Sequence, residues 1–145
     1  RFLSLLSETY VFTGGAHGMT AYGALLWDRE ANREATFQTV LTSPTAFDKA
    51  VRDRFCDALD KARAEKRGEP VTRSDEMFDD CIDPMKQTLV LEGEKGKPID
   101  RILVVIGPYE AGPYAEGSYE IPLKVDAAML KAIKPEYQAA FTAAR

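Results

Sequence analysis

The chain has 145 residues, 45% of them hydrophobic and 29% charged, which is enough apolar material for one packed domain and excludes wholesale disorder. A formal charge of −4 is the wrong sign for a general nucleic-acid binder, which needs a basic face to displace counterions. No apolar run approaches the roughly 20 residues of a membrane-spanning helix, and no signal-peptide pattern is present. The abrupt start at Arg1, directly in strand-like residues, reads as a mature or excised fragment, with a single domain over residues 1–145.

Residues 2–13 (FLSLLSETYVFT) are rich in β-branched and aromatic residues, with Tyr10 and Phe12 alternating against Thr9, Val11 and Thr13, and predict a strand. Gly14-Gly15 ends it. Residues 19–27 (MTAYGALLW) predict a second strand, joined to the first as a hairpin through a glycine-rich loop. One short helical turn is expected from Phe37 to Leu41. Ser43-Pro44 then opens a long helix to about Lys66, because a hydroxyl residue and proline suit a first turn. Phe47, Val51, Phe55, Leu59 and Ala62 recur at spacings of three and four along one face. Charged residues from Lys49 to Arg63 cover the remainder and read as a solvated face. Gly68 ends the helix. Residues 74–82 (SDEMFDDCI) predict a second short helix capped by Ser74, bringing Cys81 alongside the long one.

The second half returns to β structure. Residues 87–92 and 99–106 predict two strands, and the run ILVVI, apolar on both faces, suits a central strand covered on one side by the long helix. A glycine- and tyrosine-rich loop over 107–117 leads into SYEIPLKV, a strand whose Pro122 lacks an N–H and belongs at an edge or a bulge. Asp126 caps a helix through Ile133, and Pro135 starts a last one through about Ala144. This order predicts an α+β domain, with a mostly antiparallel sheet and the long and C-terminal helices packed on one side.

Candidate ligand-binding residues are few. Histidine is the side chain suited to acid–base work, and His17 has glycines around it that leave room for a ligand. No nucleophile or carboxylate partner follows from spacing, and a structural role with the ring bonded to backbone is the alternative. Tyr109, Tyr114 and Tyr119 offer apolar faces and polar tips for stacking on sugar rings. Glu110, Glu116 and Glu120 lie nearby to accept hydroxyl hydrogen bonds. Against that, the glycines permit tight bends, and the rings then simply fold back over the end of ILVVI. Counting alone leaves Cys56 and Cys81 open between two buried thiols and one bond, which would close a loop of roughly 25 residues. Two cysteines and one histidine do not make the usual four-ligand zinc site. No metal, no cofactor and no catalytic residues are expected.

Three motifs then stand in order: TGGAHG (13–18) between two strands, PYEAGPYAEGSYEIPL (108–123), and KPEY…F (134–141). With the strand ending in Asp28, the turn carrying Phe37 and Leu41, and the long helix, they resemble the extracytoplasmic domain of RsiV-like anti-sigma factors. The same domain of largely unknown function accompanies PdaC-type peptidoglycan deacetylases and occurs in exported bacterial lipoproteins. The resemblance spans nearly the whole chain. It implies an exported domain, periplasmic or on the outer face of the cell membrane, in an oxidising compartment where a Cys56–Cys81 disulfide is expected. Any membrane tether would lie upstream.

An activity does not transfer with it. In the deacetylases, catalysis resides in a separate metal-dependent domain with its own aspartate and histidine ligands, and this chain has one histidine. In the RsiV-like sensors the domain binds lysozyme. The resemblance therefore implies a non-catalytic binding or sensing module of the cell envelope, with peptidoglycan or a cell-wall-acting protein such as lysozyme as ligand. The alternatives are a peptidoglycan-modifying enzyme or its accessory domain, and a structural lipoprotein domain.

Overall fold

A computed structural model describes residues 1–144. The first third of the chain builds an antiparallel sheet in the order β1 (Phe2–Val11), β2 (Met19–Asp28), β3 (Arg33–Ala35). β1 and β2 pair without interruption from Phe2 opposite Asp28 to Val11 opposite Met19. Because side chains alternate along a strand, Leu26 and Asp28 fall on one face and are buried. Leu3, Leu5 and Leu25 fall on the other and remain exposed.

Helix α1 (Phe37–Val40) is one turn, held by reciprocal capping between Thr36 and Thr39. Helix α2 (Pro44–Arg67) begins as expected: the Ser43 hydroxyl accepts the Ala46 N–H at 3.0 Å and Pro44 occupies the first turn. It ends at Gly68, whose φ of 73° is the left-handed conformation that glycine adopts at least cost. Phe47, Val51, Phe55 and Leu59 are fully buried along its inner stripe. At roughly 1.5–3 kcal/mol for each such side chain, this stripe is the main attachment of the helix.

The second sheet runs β4 (Thr88–Glu92), β5 (Arg101–Ile106), β6 (Tyr119–Lys124), again antiparallel. On central β5, Ile102, Val104 and Ile106 join the α2 stripe in the main core. Leu103 and Val105 pack with Val90 under Tyr22 of the first sheet. The two-sided apolar run ILVVI is thus covered on both faces, by the long helix and by the hairpin. Pro122 sits on β6, an edge strand, opposite Leu103. The expected α+β class with antiparallel strands holds, and the strands divide between two sheets.

Two expected helices differ. Residues 74–82 form turns: Ser74 N–H donates to Asp79 C=O, Asp79 and Asp80 N–H both reach Glu76 C=O, and Phe78 takes a left-handed φ of 70°. The three aspartates in this stretch, Asp75, Asp79 and Asp80, favour capping and turn geometry over a helix interior. After α3 (Ala127–Ala132), capped by Asp126 as expected, α4 spans just Pro135–Gln138. It stops there because the backbone of Ala140 and Thr142 bonds to Ile99 on either side of a short bridge, which a longer helix would forbid. No helix among the described residues is long and apolar enough to cross a membrane.

Candidate functional site

The turn at 74–82 still delivers Cys81 to α2. Cys56 and Cys81 form a disulfide with Cα atoms 5.4 Å apart, as the family resemblance implied. The bond holds the turn against the helix at one point, and the basic end of α2 holds it at several more.

Arg63, Lys66 and Arg67, from the last two turns of α2, reach two separate loops. Arg63 Nε donates to Ala111 C=O at 2.9 Å and Nη1 to Asp80 C=O at 2.7 Å. Lys66 Nζ donates to the carbonyls of Glu116 and Ser118 and lies 4.0 Å over the Tyr119 ring. Arg67 pairs with Glu116 at 2.8 Å and with Asp79 at 2.8 Å, and donates to Phe78 C=O. Arg63 corrects the expectation of a solvated charged face, since it is completely buried. The signal was available: residue 63 falls four after Leu59 and eight after Phe55, on the same stripe.

Of the expected ligand residues, Glu116 and Tyr119 belong to this clamp. Tyr119 is buried, and its hydroxyl donates to the Glu116 carboxylate. Burial pushes the Glu116 pKa up, but the hydrogen bonds from Arg67 and Tyr119 outweigh it and hold the carboxyl below its ordinary value. Burial and the neighbouring carboxylate push the Tyr119 hydroxyl far up, so it stays a donor. Because the folded pKa of Glu116 is depressed, its contribution is complete above the ordinary value of 4.5 and is lost as pH falls through the lowered one. Replacing Glu116 by glutamine is expected to cost about 1.5–3 kcal/mol at neutral pH. In urea unfolding, the gap between wild type and variant should close as pH drops below that value. A gap independent of pH would contradict the assignment.

Three more, His17, Tyr109 and Tyr114, come together although the histidine lies some ninety residues from the tyrosines. His17 stacks on Tyr114 with ring centroids 3.6 Å apart and planes 16° from parallel. The Tyr114 hydroxyl donates to Gly18 C=O at 2.9 Å, and His17 Nδ1 is 3.0 Å from the same oxygen. A carbonyl only accepts, so the Nδ1 must carry a proton and Nε2 is left facing the Tyr109 hydroxyl at 3.5 Å. Gly18 permits the arrangement, because a Cβ there would overlap the Tyr10 ring. The ring takes its place in an aromatic platform with Tyr114 and Tyr109. Of the expected backbone-bonded role, the Nδ1 contact is the part seen.

Tyr109 is the exposed member of the platform, 49% accessible, with a left-handed φ of 68° that turns its side chain outward. It also forms one wall of an open groove of about 590 Å³. The opposite wall is the 74–82 turn, with Met77, Phe78 and Ile82, and the carboxylates of Asp75, Asp80 and Glu110 rim it. Met77 is 80% exposed and had no sequence signal beyond its place in an acidic segment. Glu120 points away from the core on edge strand β6. Among the described residues no cluster of three or more His, Cys, Asp or Glu side chains is placed to hold a metal ion.

No protein-family model and no curated protein matches this chain. Among solved structures, a DUF3298 family protein from Pseudomonas aeruginosa PAO1 is similar, with a TM-score of 0.55 and 18% sequence identity. The match covers 99% of this chain and 59% of that protein, so this chain spans less than two thirds of its length. At this identity the likeness is one of fold alone.

Proposed function

We propose that this domain is a non-catalytic binding module of the bacterial envelope, of the family that includes the RsiV-like sensors, and that Tyr109 is its ligand contact. The observation that carries the reading is an exposed aromatic ring, backed by a stacked pair, at the wall of an open groove rimmed by three carboxylates. An aromatic face suits the apolar face of a sugar ring, and carboxylates at the rim accept its hydroxyl hydrogens. That chemistry fits a cell-wall glycan. A cell-wall-acting protein such as lysozyme would use the same ring as a buried anchor. The motif order and the shared fold support the family, and the disulfide supports an oxidising, exported setting.

The test is saturable retention on purified peptidoglycan, and separately on immobilised lysozyme. Tyr109→Ala is expected to weaken whichever binding is found by about tenfold or more. His17→Ala should weaken it less, since that ring supports Tyr114. Unchanged retention of Tyr109→Ala, or no saturable retention on either material, would remove this reading. Turnover of muropeptides by the chain alone would place it among the enzymes.

A further inference from the structure

We propose that the free edge of β1 pairs with β1 of a second copy, joining the two hairpin sheets into one continuous six-stranded sheet. The inference is independent of the groove. β1 is paired by β2 on one side, and no described strand pairs with its other edge. A row of unpaired N–H and C=O groups along ten residues is a template for another strand, and exposed edges are ordinarily blunted by proline, lysine, a bulge or shortness. β1 has none of these: its ladder with β2 runs without a bulge, and Glu8 is the one charge in FLSLLSETYV.

Apart from Phe2, which packs on the core, and Ser4, whose hydroxyl accepts the Leu91 N–H of β4, its side chains are exposed as well. Eight of the ten large apolar residues left exposed in the described chain lie on this hairpin. Of these, Leu3, Leu5, Leu6, Tyr10 and Val11 lie on β1 itself, beside the open edge. Leu3, Leu5 and Val11 share the outer face with Met19 and Leu25, and the sole charge on that face is Glu34, opposite Trp27 on β3.

The occupant must supply an extended backbone and apolar side chains, without an acidic residue to meet Glu8. A second β1 does so. A two-fold axis through Ser7, perpendicular to the sheet, sets Leu3 opposite Val11 of the partner and Leu5 opposite Thr9 of the partner. It sets Glu8 opposite Leu6 of the partner, so the two carboxylates do not face each other. The outer apolar faces of both copies then lie on the same side.

Sedimentation equilibrium on the full chain over a wide concentration range should find a dimer. Leu5→Lys and Val11→Lys change side chains that are 47% and 51% exposed, so the fold should persist, as circular dichroism would report. Each is expected to weaken dimerisation by about tenfold or more, as an edge lysine does. Ser7→Cys keeps the strand apolar and adds the single free thiol, because both native cysteines are bonded. Mild oxidation should cross-link it into a covalent dimer. A wild type that stays monomeric throughout the range, a dimer indifferent to both lysines, or a Ser7→Cys chain that fails to cross-link would each overturn the proposal.

Discussion

Replacing Arg63 by alanine is expected to lower the unfolding free energy by about 3–5 kcal/mol, among the largest losses any single substitution in this chain can cause. The guanidinium is fully buried and donates to two backbone carbonyls and, at 3.3 Å, to Asp60. Alanine removes the donors, leaves the buried Ala111 carbonyl without one and strips the part-buried Asp80 carbonyl of its partner. Those two carbonyls belong to the tyrosine loop and to the 74–82 turn, the two walls of the groove. Loss of one side chain therefore loosens both walls together, and ligand retention should fall along with stability. Urea unfolding measures the first effect. A loss below about 1 kcal/mol would mean that water or Arg67 replaces Arg63 without penalty.

Removing the disulfide by Cys56→Ala with Cys81→Ala is expected to cost about 3 kcal/mol, from the entropy that a closed loop of this length withdraws from the unfolded chain. The segment between the cysteines, which stand 25 positions apart, includes the basic end of α2 and the whole first part of the turn. The native geometry should survive, because Arg63 and Arg67 still hold Asp80, Phe78 and Asp79. The two predictions separate cleanly: Arg63 acts on the folded state and the disulfide mainly on the unfolded one. Comparison of oxidised wild type with the double variant in urea tests this. Equal stabilities would show that the loop is already confined in the denatured chain.

The elements legible in the sequence are those with local causes. Ser43-Pro44 and Gly68 bracket α2, the spacing of Phe47, Val51, Phe55 and Leu59 turns it inward, and Pro122 places β6 at an edge. The turn at 74–82 is not legible, because capping residues attract a helix prediction while its real partners, Arg63 and Arg67, lie ten or more residues away. The site was legible as a set of residues and illegible as an arrangement. His17 and Tyr114 meet across the fold, and no spacing encodes a contact of that range. The sequence leaves Tyr109, Tyr114 and Tyr119 open between stacking on a ligand and folding back over the end of ILVVI. The structure gives them three different places: Tyr109 outward, Tyr114 against the histidine, and Tyr119 in the core.

The backbone at Tyr109 carries a further consequence. A side chain in the left-handed region is less comfortable there than glycine by about 1 kcal/mol, and this one recovers little by burial, since half its surface is open. Thermal resistance and recognition therefore pull in opposite directions at this position. A library of variants screened for heat tolerance alone would drift toward glycine at 109 and lose the outward ring, while the rest of the fold improved. Screening for retention first would keep the tyrosine and leave a slightly less robust protein.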